Sequence, residues 1–314
     1  MKIIHKSVRY VLPLCLSVIF SLSVSHSAAS EDNEEVKDST VLDYWTIGGI
    51  GNLNVNQGYL SNWAEGGESS INATWRLDID AEYKRENAAW ESSASWKYGV
   101  LQSGERQLRK NEDKFEFTSK FGYNASERWY YSALMNLKSQ LFNGYNYPND
   151  SVPVSAFLAP ANFVASIGMD YKPNSDFNIL LSPLSMKLTV VYDTVNIDQT
   201  KYGLDEDQWF KGEIGGYVRA RWKTDLHKNI SMKNEIELFS SYLNNPENID
   251  VDWQMALVFK ATEFITTTIS THLIYDDDIE IPEYEMVDGE VQQVGVTRAI
   301  QFKEMLSIGL SYKF

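Results

Sequence analysis

The chain has 314 residues, 13% of them aromatic, and a formal net charge of −15. That acidity argues against nucleic acid as a partner and against a polybasic membrane patch. The single cysteine, Cys15, lies in a segment expected to be removed, so disulfides and thiolate chemistry are excluded from the mature chain.

Lys2, Lys6 and Arg9 form a positive n-region, Val11 to Val24 a short apolar core, and Ser27-Ala28-Ala29 supplies small residues at −3 and −1. This pattern predicts a secretory signal peptide over residues 1–29, cut after Ala29. Residues 30–43 follow as an acidic, flexible leader whose stretch SEDNEEVKDST is too poor in apolar residues to bury a core.

From residue 44 the dominant signal is alternation with period two. In INATWRLDIDAEY, Ile71, Ala73, Trp75, Leu77, Ile79, Ala81 and Tyr83 share one face, and Asn72, Thr74, Arg76, Asp78, Asp80 and Glu82 share the other. A helix would scatter these groups around its axis, whereas a strand sorts them into a greasy and a charged face. Before it, Trp45, Ile47, Leu53 and Val55 make a glycine-broken strand. After it come Trp90–Val100, Phe115–Tyr123, Trp129–Leu141 and Phe163–Tyr171. A strand over Leu184–Tyr192 could start at Phe177, with a break at Pro183. Ile214–Trp222, Ile230–Tyr242, Val251–Phe259, Ile265–Tyr275 and Phe302–Phe314 complete about twelve strands.

The connections alternate between short, such as residues 84–88, 126–128 and 173–176, and long, such as residues 101–113, 143–161 and 276–298. Together with twelve-fold alternation and no apolar run near the ~20 residues of a membrane helix, this predicts an all-β fold. The expected architecture is a transmembrane antiparallel up-and-down β-barrel over residues 44–314, with short periplasmic turns and long extracellular loops. The expected location is the bacterial outer membrane, with the lipid bilayer and lipopolysaccharide as surroundings. Aromatics gather at strand ends, as girdles at the headgroup level require. The strand LSIGLSYKF ends in Tyr312 and Phe314, a pattern that resembles the signal read by the barrel-assembly machinery, the expected partner during insertion.

The lumen-facing register collects charges on nearly every strand. Arg219 and Arg221, set against Asp78 and Asp80 with Arg76 beside them, are candidate selectivity charges, expected to meet across the lumen. Ser270 and His272 share the same register and are the minor candidate for a lipid or ester hydrolase. Alternate residues on one strand stand roughly 6–7 Å apart, however, and no catalytic residue is assigned. No metal or cofactor is expected: histidine spacing offers no ligand pair. The Gly48–Asn54 stretch lacks the third glycine and the helix of a dinucleotide loop. Asp276 to Glu285, with Asp205, Glu206 and Asp207, should form solvated, self-repelling acidic loops. Ile281 sits where a calcium loop needs glycine.

The stretch DYWTIGGIGNLNVNQGYLSNWAEGGESSINATWRLDI resembles the opening of a group of Bacteroidota outer-membrane proteins catalogued as domain of unknown function 3078. Asn62-Trp63-Ala64 and Gly66-Gly67-Glu68 are its specific elements. The resemblance implies a signal peptide and a barrel spanning residues 44–314, and no activity. Asn62, Trp63, Gly66 and Gly67 are read as a loop on the long-loop side, the glycines turning the chain into the next strand. The function expected is a narrow porin-like channel for small polar solutes. The alternative is a non-conducting barrel of an envelope assembly or secretion complex.

Overall fold

The computed structural model describes residues 44–60, 68–147, 149–287 and 290–314. The expected signal peptide and leader lie outside the described residues, as do Asn62, Trp63, Gly66 and Gly67. The described chain forms β1 (Trp45–Gly58), β2 (Ser70–Arg85), β3 (Ala88–Ser103), β4 (Arg109–Ser126) and β5 (Trp129–Ser139). A loop hairpin follows, β6 (Gly144–Tyr145) with β7 (Pro153–Ser155). Then come β8 (Ala161–Tyr171), β9 (Phe177–Val190), a 3-10 turn (Gln199–Tyr202), β10 (Phe210–His227), β11 (Ile230–Ser241), β12 (Asp250–Lys260) and β13 (Ile265–Tyr275). A second loop hairpin, β14 (Ile281–Val287) with β15 (Glu290–Thr297), precedes β16 (Gln301–Lys313). Twelve of these strands close an antiparallel barrel in the order β1-β16-β13-β12-β11-β10-β9-β8-β5-β4-β3-β2.

Closure leaves no unpaired edge, which is the condition for a sheet to stand in hydrocarbon. The staves run 11 to 18 residues, and about 9–11 tilted residues suffice to cross a bilayer. The short turns are tight: Arg85 pairs with Ala88 across Glu86-Asn87, where Glu86 takes φ 46°.

Alternation puts large apolar side chains outward all round the barrel. Ile47 is 71% exposed, Ile167 63%, Leu306 62% and Leu184 58%. An outer surface of this kind is unsustainable in water and matches a bilayer. Trp45 packs on Tyr83 and Trp129 on Tyr171 at the short-turn end, marking one girdle. Trp75 and Trp96 meet edge-on at 4.8 Å in mid-strand, away from either girdle.

Two features differ from the sequence reading. Pro183 does not break β9: the strand continues through a bulge, where the pairing with β8 shifts between Ile167 and Met169. Ser182 Oγ donates to the Ile167 carbonyl at 2.7 Å and Tyr242 Oη to the Pro183 carbonyl at 2.7 Å. A bulge is where proline, which has no N–H to give, is tolerated within a sheet. Further, the long connections are structured. Ala156, Ala159, Val191, Ile197 and Leu204 form a small apolar core above β8, β9 and β10. Tyr202 packs against it and donates its hydroxyl to the Val154 carbonyl at 2.8 Å.

Candidate functional site in the barrel lumen

Eight strands enclose an interior that side chains just fill, and sixteen leave an aqueous channel. At twelve, the side chains themselves decide what space remains. Strand register fixes which ones point inward, and they divide the lumen into two unlike halves.

The half formed by β4, β5, β8, β9, β10 and β11 is packed. Leu134, Val164, Leu180, Tyr217 and Phe239 form a buried cluster on the inner face. Around it lies a network of ion pairs that reaches across the barrel. Lys138 on β5 binds Glu237 on β11 and Asp252 on β12, each at 2.8 Å. Arg219 on β10, 3% exposed, donates to Glu235 at 2.5 and 2.9 Å and lies 3.6 Å from Glu237 and 3.9 Å from Glu116. Lys120 binds Asp170 at 2.6 Å, and Glu91 gathers Lys120, Lys172 and Arg221. Isolated buried charges would each cost several kcal/mol, so pairing and added hydrogen bonds are what let this interior hold them. Glu116, Glu235 and Glu237 converge within 4.8 Å, but Arg219 and Lys138 supply the countercharge a cation would otherwise bring.

The other half sets small residues among ion pairs of its own, Arg76 with Asp78 and Lys97 and Lys303 with Glu112. Ser93 and Ser95 on β3, Thr268 and Ser270 on β13, Ser307, Gly309 and Ser311 on β16, and Asn52 and Asn54 on β1 face inward with partial exposure. Ser95 donates to Asp78 at 2.6 Å.

The expected meeting of Arg219 and Arg221 with Asp78 and Asp80 is not formed. Asp78 is taken by Arg76 two residues away on its own strand, at 2.8 Å. Arg219 and Arg221 are held by the glutamates of β3, β4 and β11. Adjacent and cross-lumen glutamates win because they share the strand level of the arginines, as Arg219↔Glu237 and Arg221↔Glu235 show. Period-two reading orients each side chain but carries no axial level for strands across a barrel.

The acidic loops also differ from expectation. Asp276 binds Lys187 at 2.7 Å, Asp278 binds Lys211 at 2.5 Å, and Asp277 accepts from Asn248 at 2.6 Å. The acids therefore tie the loop after β13 to the upper lumen, with Asp250 as a second partner of Lys187. Asp205, Glu206, Asp278 and Glu280 line a shallow outer cup that also contains Arg298. On the same outer side, Asn196 donates to Asp193 and holds its carboxyl below the usual range. Burial pushes the Tyr202 hydroxyl up to about 12.

His272 Nε2 meets Asp252 Oδ1 at 2.8 Å. Ser270 shares no hydrogen bond with either, and Asp252 is also held by Lys138. A nucleophile activated by a base needs that contact, so the geometry here is that of an ion-pair network.

A twelve-stranded barrel with a hydrophobic outer belt and a charged lumen defines the class: a membrane-spanning β-barrel of the outer-membrane type. The family described as "Protein of unknown function (DUF3078)" matches residues 55–145. This is the stretch holding the Asn62-Trp63-Ala64 and Gly66-Gly67-Glu68 elements, and the match bears out the resemblance read from them. No curated protein matches the chain. Among solved structures, it is similar to an outer membrane channel from Pseudomonas putida F1 at 10% identity and a TM-score of 0.39, covering 91% of this chain and 100% of that one. It is similar to the NanC porin at 10% identity and a TM-score of 0.40, covering 85% and 100%. It is also similar to the translocator domain of the autotransporter NalP from Neisseria meningitidis, at 8% identity and a TM-score of 0.34, covering 86% and 88%.

Proposed function

We propose that this protein is a narrow, passive channel for small polar solutes in the bacterial outer membrane. The observation that carries the reading is the asymmetry of the lumen. One half is filled by buried ion pairs and an apolar cluster, and the other sets partly exposed serine, threonine and asparagine side chains among the more exposed pairs of Arg76 and Lys303. Short hydroxyl side chains leave volume and replace part of a solute's hydration, which is what a selective pore requires. The packed half would act as a rigid buttress that sets the width of the remaining path. In the same reading, lipid and lipopolysaccharide surround the barrel, and the assembly machinery reads the strand ending Tyr312 and Phe314.

A second reading is favoured by the cross-lumen pairs of Lys138 and Arg219: a sealed barrel that serves an envelope complex as a structural subunit. Planar-bilayer recording of the purified barrel separates the two. Small, steady, ohmic steps are expected for the channel. Silence at every voltage, from protein shown to be folded by its heat-dependent gel mobility, would sink it in favour of the sealed barrel.

A further inference from the structure

Inward-facing cations in this barrel are almost all neutralised. Arg76, Lys97, Lys114, Lys120, Lys138, Lys187, Lys211, Arg219, Arg221 and Lys303 each have a carboxylate within 4 Å. Among the described residues, the inward-facing lysines without such a partner are Lys223, Lys233, Lys260 and Lys313. They are not scattered. They lie at the short-turn ends of β10, β11, β12 and β16, and all are exposed.

Two further relations bear on what this group does. Lys223 and Lys233 are direct cross-strand partners, so two ammonium groups stand opposite each other on one face. Like charges in that position are destabilising, and an anion between them reverses the sign. Lys223 on β10 also stands across the lumen from β2, six places round the closed barrel, with Lys233 on β11 beside it. Lys233 lies within electrostatic reach of Asp78 and Asp80 there, and Asp78 is already held by Arg76. Against the four lysines, Asp80 and Asp225 are the carboxylates of β2 and β10 on this inner face that have no ion-pair partner within 4 Å among the described residues, so the positive charges outnumber them in a chain whose formal net charge is −15.

We propose that Lys223, Lys233, Lys260 and Lys313 form an anion-selecting mouth, which makes small carboxylate- or phosphate-bearing molecules the favoured solutes. The inference rests on the channel reading above and adds the solute class. Fixed charge beside low-dielectric walls focuses the field and raises the local concentration of counter-ions. Lys260 and Lys313 stand on strands of the small-residue half, and Lys223 and Lys233 on β10 and β11 of the packed half, so the four flank the short-turn opening by which a solute enters or leaves the lumen.

The test is a reversal-potential measurement on the full barrel in neutral lipid under a KCl gradient, comparing wild type with K223Q/K233Q. Wild type is expected to prefer chloride, and the double variant to lose that preference several-fold with its single-channel conductance little changed. A parallel titration of the detergent-solubilised protein with pyrophosphate should raise the thermal midpoint of wild type and leave that of K223Q/K233Q unmoved. A conducting wild type that prefers potassium, or a variant with unchanged selectivity, overturns the anion mouth and leaves the channel standing. If the barrel is silent, the channel reading falls. Pyrophosphate stabilisation confined to wild type would then keep the lysines as an anion site, and its absence would remove that as well.

Discussion

Phe314 lies over Gly49. The two residues exchange backbone hydrogen bonds at the seam, Gly49 N to Phe314 O and Phe314 N to Gly49 O, both at 3.0 Å. The phenyl ring occupies the space that a Cβ on Gly49 would need, and the Asp78 carbonyl crowds the same point at 2.8 Å. The seam is tight again at Gly309, where a Cβ would strike the Leu53 carbonyl and Asn54. Glycine here serves the close approach of β1 and β16 that completes the barrel. Gly49→Ala is expected to destabilise the folded barrel by about 1–3 kcal/mol, the usual cost of overpacking. Urea unfolding in lipid vesicles would measure it. An unchanged midpoint would mean that the seam relaxes freely around the added methyl.

The cross-lumen network sets a second expectation. Lys138 is the shared cation of Glu237 and Asp252. Lys138→Met leaves Glu237 to Arg219 alone and the partly buried Asp252 to His272, and should destabilise the barrel by about 1.5–3 kcal/mol, the scale of a lost charged hydrogen bond. The triple change Lys138→Met, Glu237→Gln and Asp252→Asn removes the charges together and should recover most of that loss. If the single change is as mild as the triple, the pairs are solvated and hold nothing together.

Reading the sequence in order finds the staves because alternation needs only local information. Strands as long as β2 and β10 repeat it many times over. The same rule sends Arg76, Asp78, Asp80, Arg219 and Arg221 inward. It cannot say that Arg219 meets Glu116, because that contact depends on the axial stagger of strands far apart in sequence, nor that Asp78 is taken by Arg76, its neighbour two residues away, in preference to a partner across the lumen. The β14–β15 hairpin was legible in part. Asp288-Gly289 is a strong hairpin signal between alternating segments, but the acidity of the flanking residues reads as a loop. The lysine group at the short-turn mouth stood in plain sequence. What singles it out is its lack of partners, which emerges only when every other inward cation is seen to be paired.

Tyr202 gives a pH-dependent expectation on the outer side. Its hydroxyl is raised to about 12 by burial and donates to the Val154 carbonyl. The folded pKa lies above the 10.0 of a free tyrosine. The stabilisation is therefore complete below pH 10 and is lost as pH rises toward 12. Ultraviolet titration of wild type against Tyr202→Phe should show one tyrosine ionising late. The variant should lose about 1 kcal/mol of loop stability, read as faster amide exchange in residues 153–160 and 191–204. A tyrosine titrating near 10 would place the hydroxyl in water and dissolve the packed cap.

The divided lumen makes the sharpest expectation for transport. Ser307→Trp puts a large ring into the small-residue half, beside Thr268, its cross-strand partner. Ser307 keeps partial exposure there, so the fold should survive and conductance should fall several-fold. Ser166→Trp puts the same ring into the packed half, where Ser166 is 4% exposed and pairs with Leu134. That change should cost stability, of order 1–3 kcal/mol or more, because no free volume exists to receive it. The pair of variants exchanges effects if the path runs through the other half. Equal conductance in Ser307→Trp and wild type, with both folded, would mean that ions do not cross beside β13 and β16, and the asymmetry would then have to be read as packing alone.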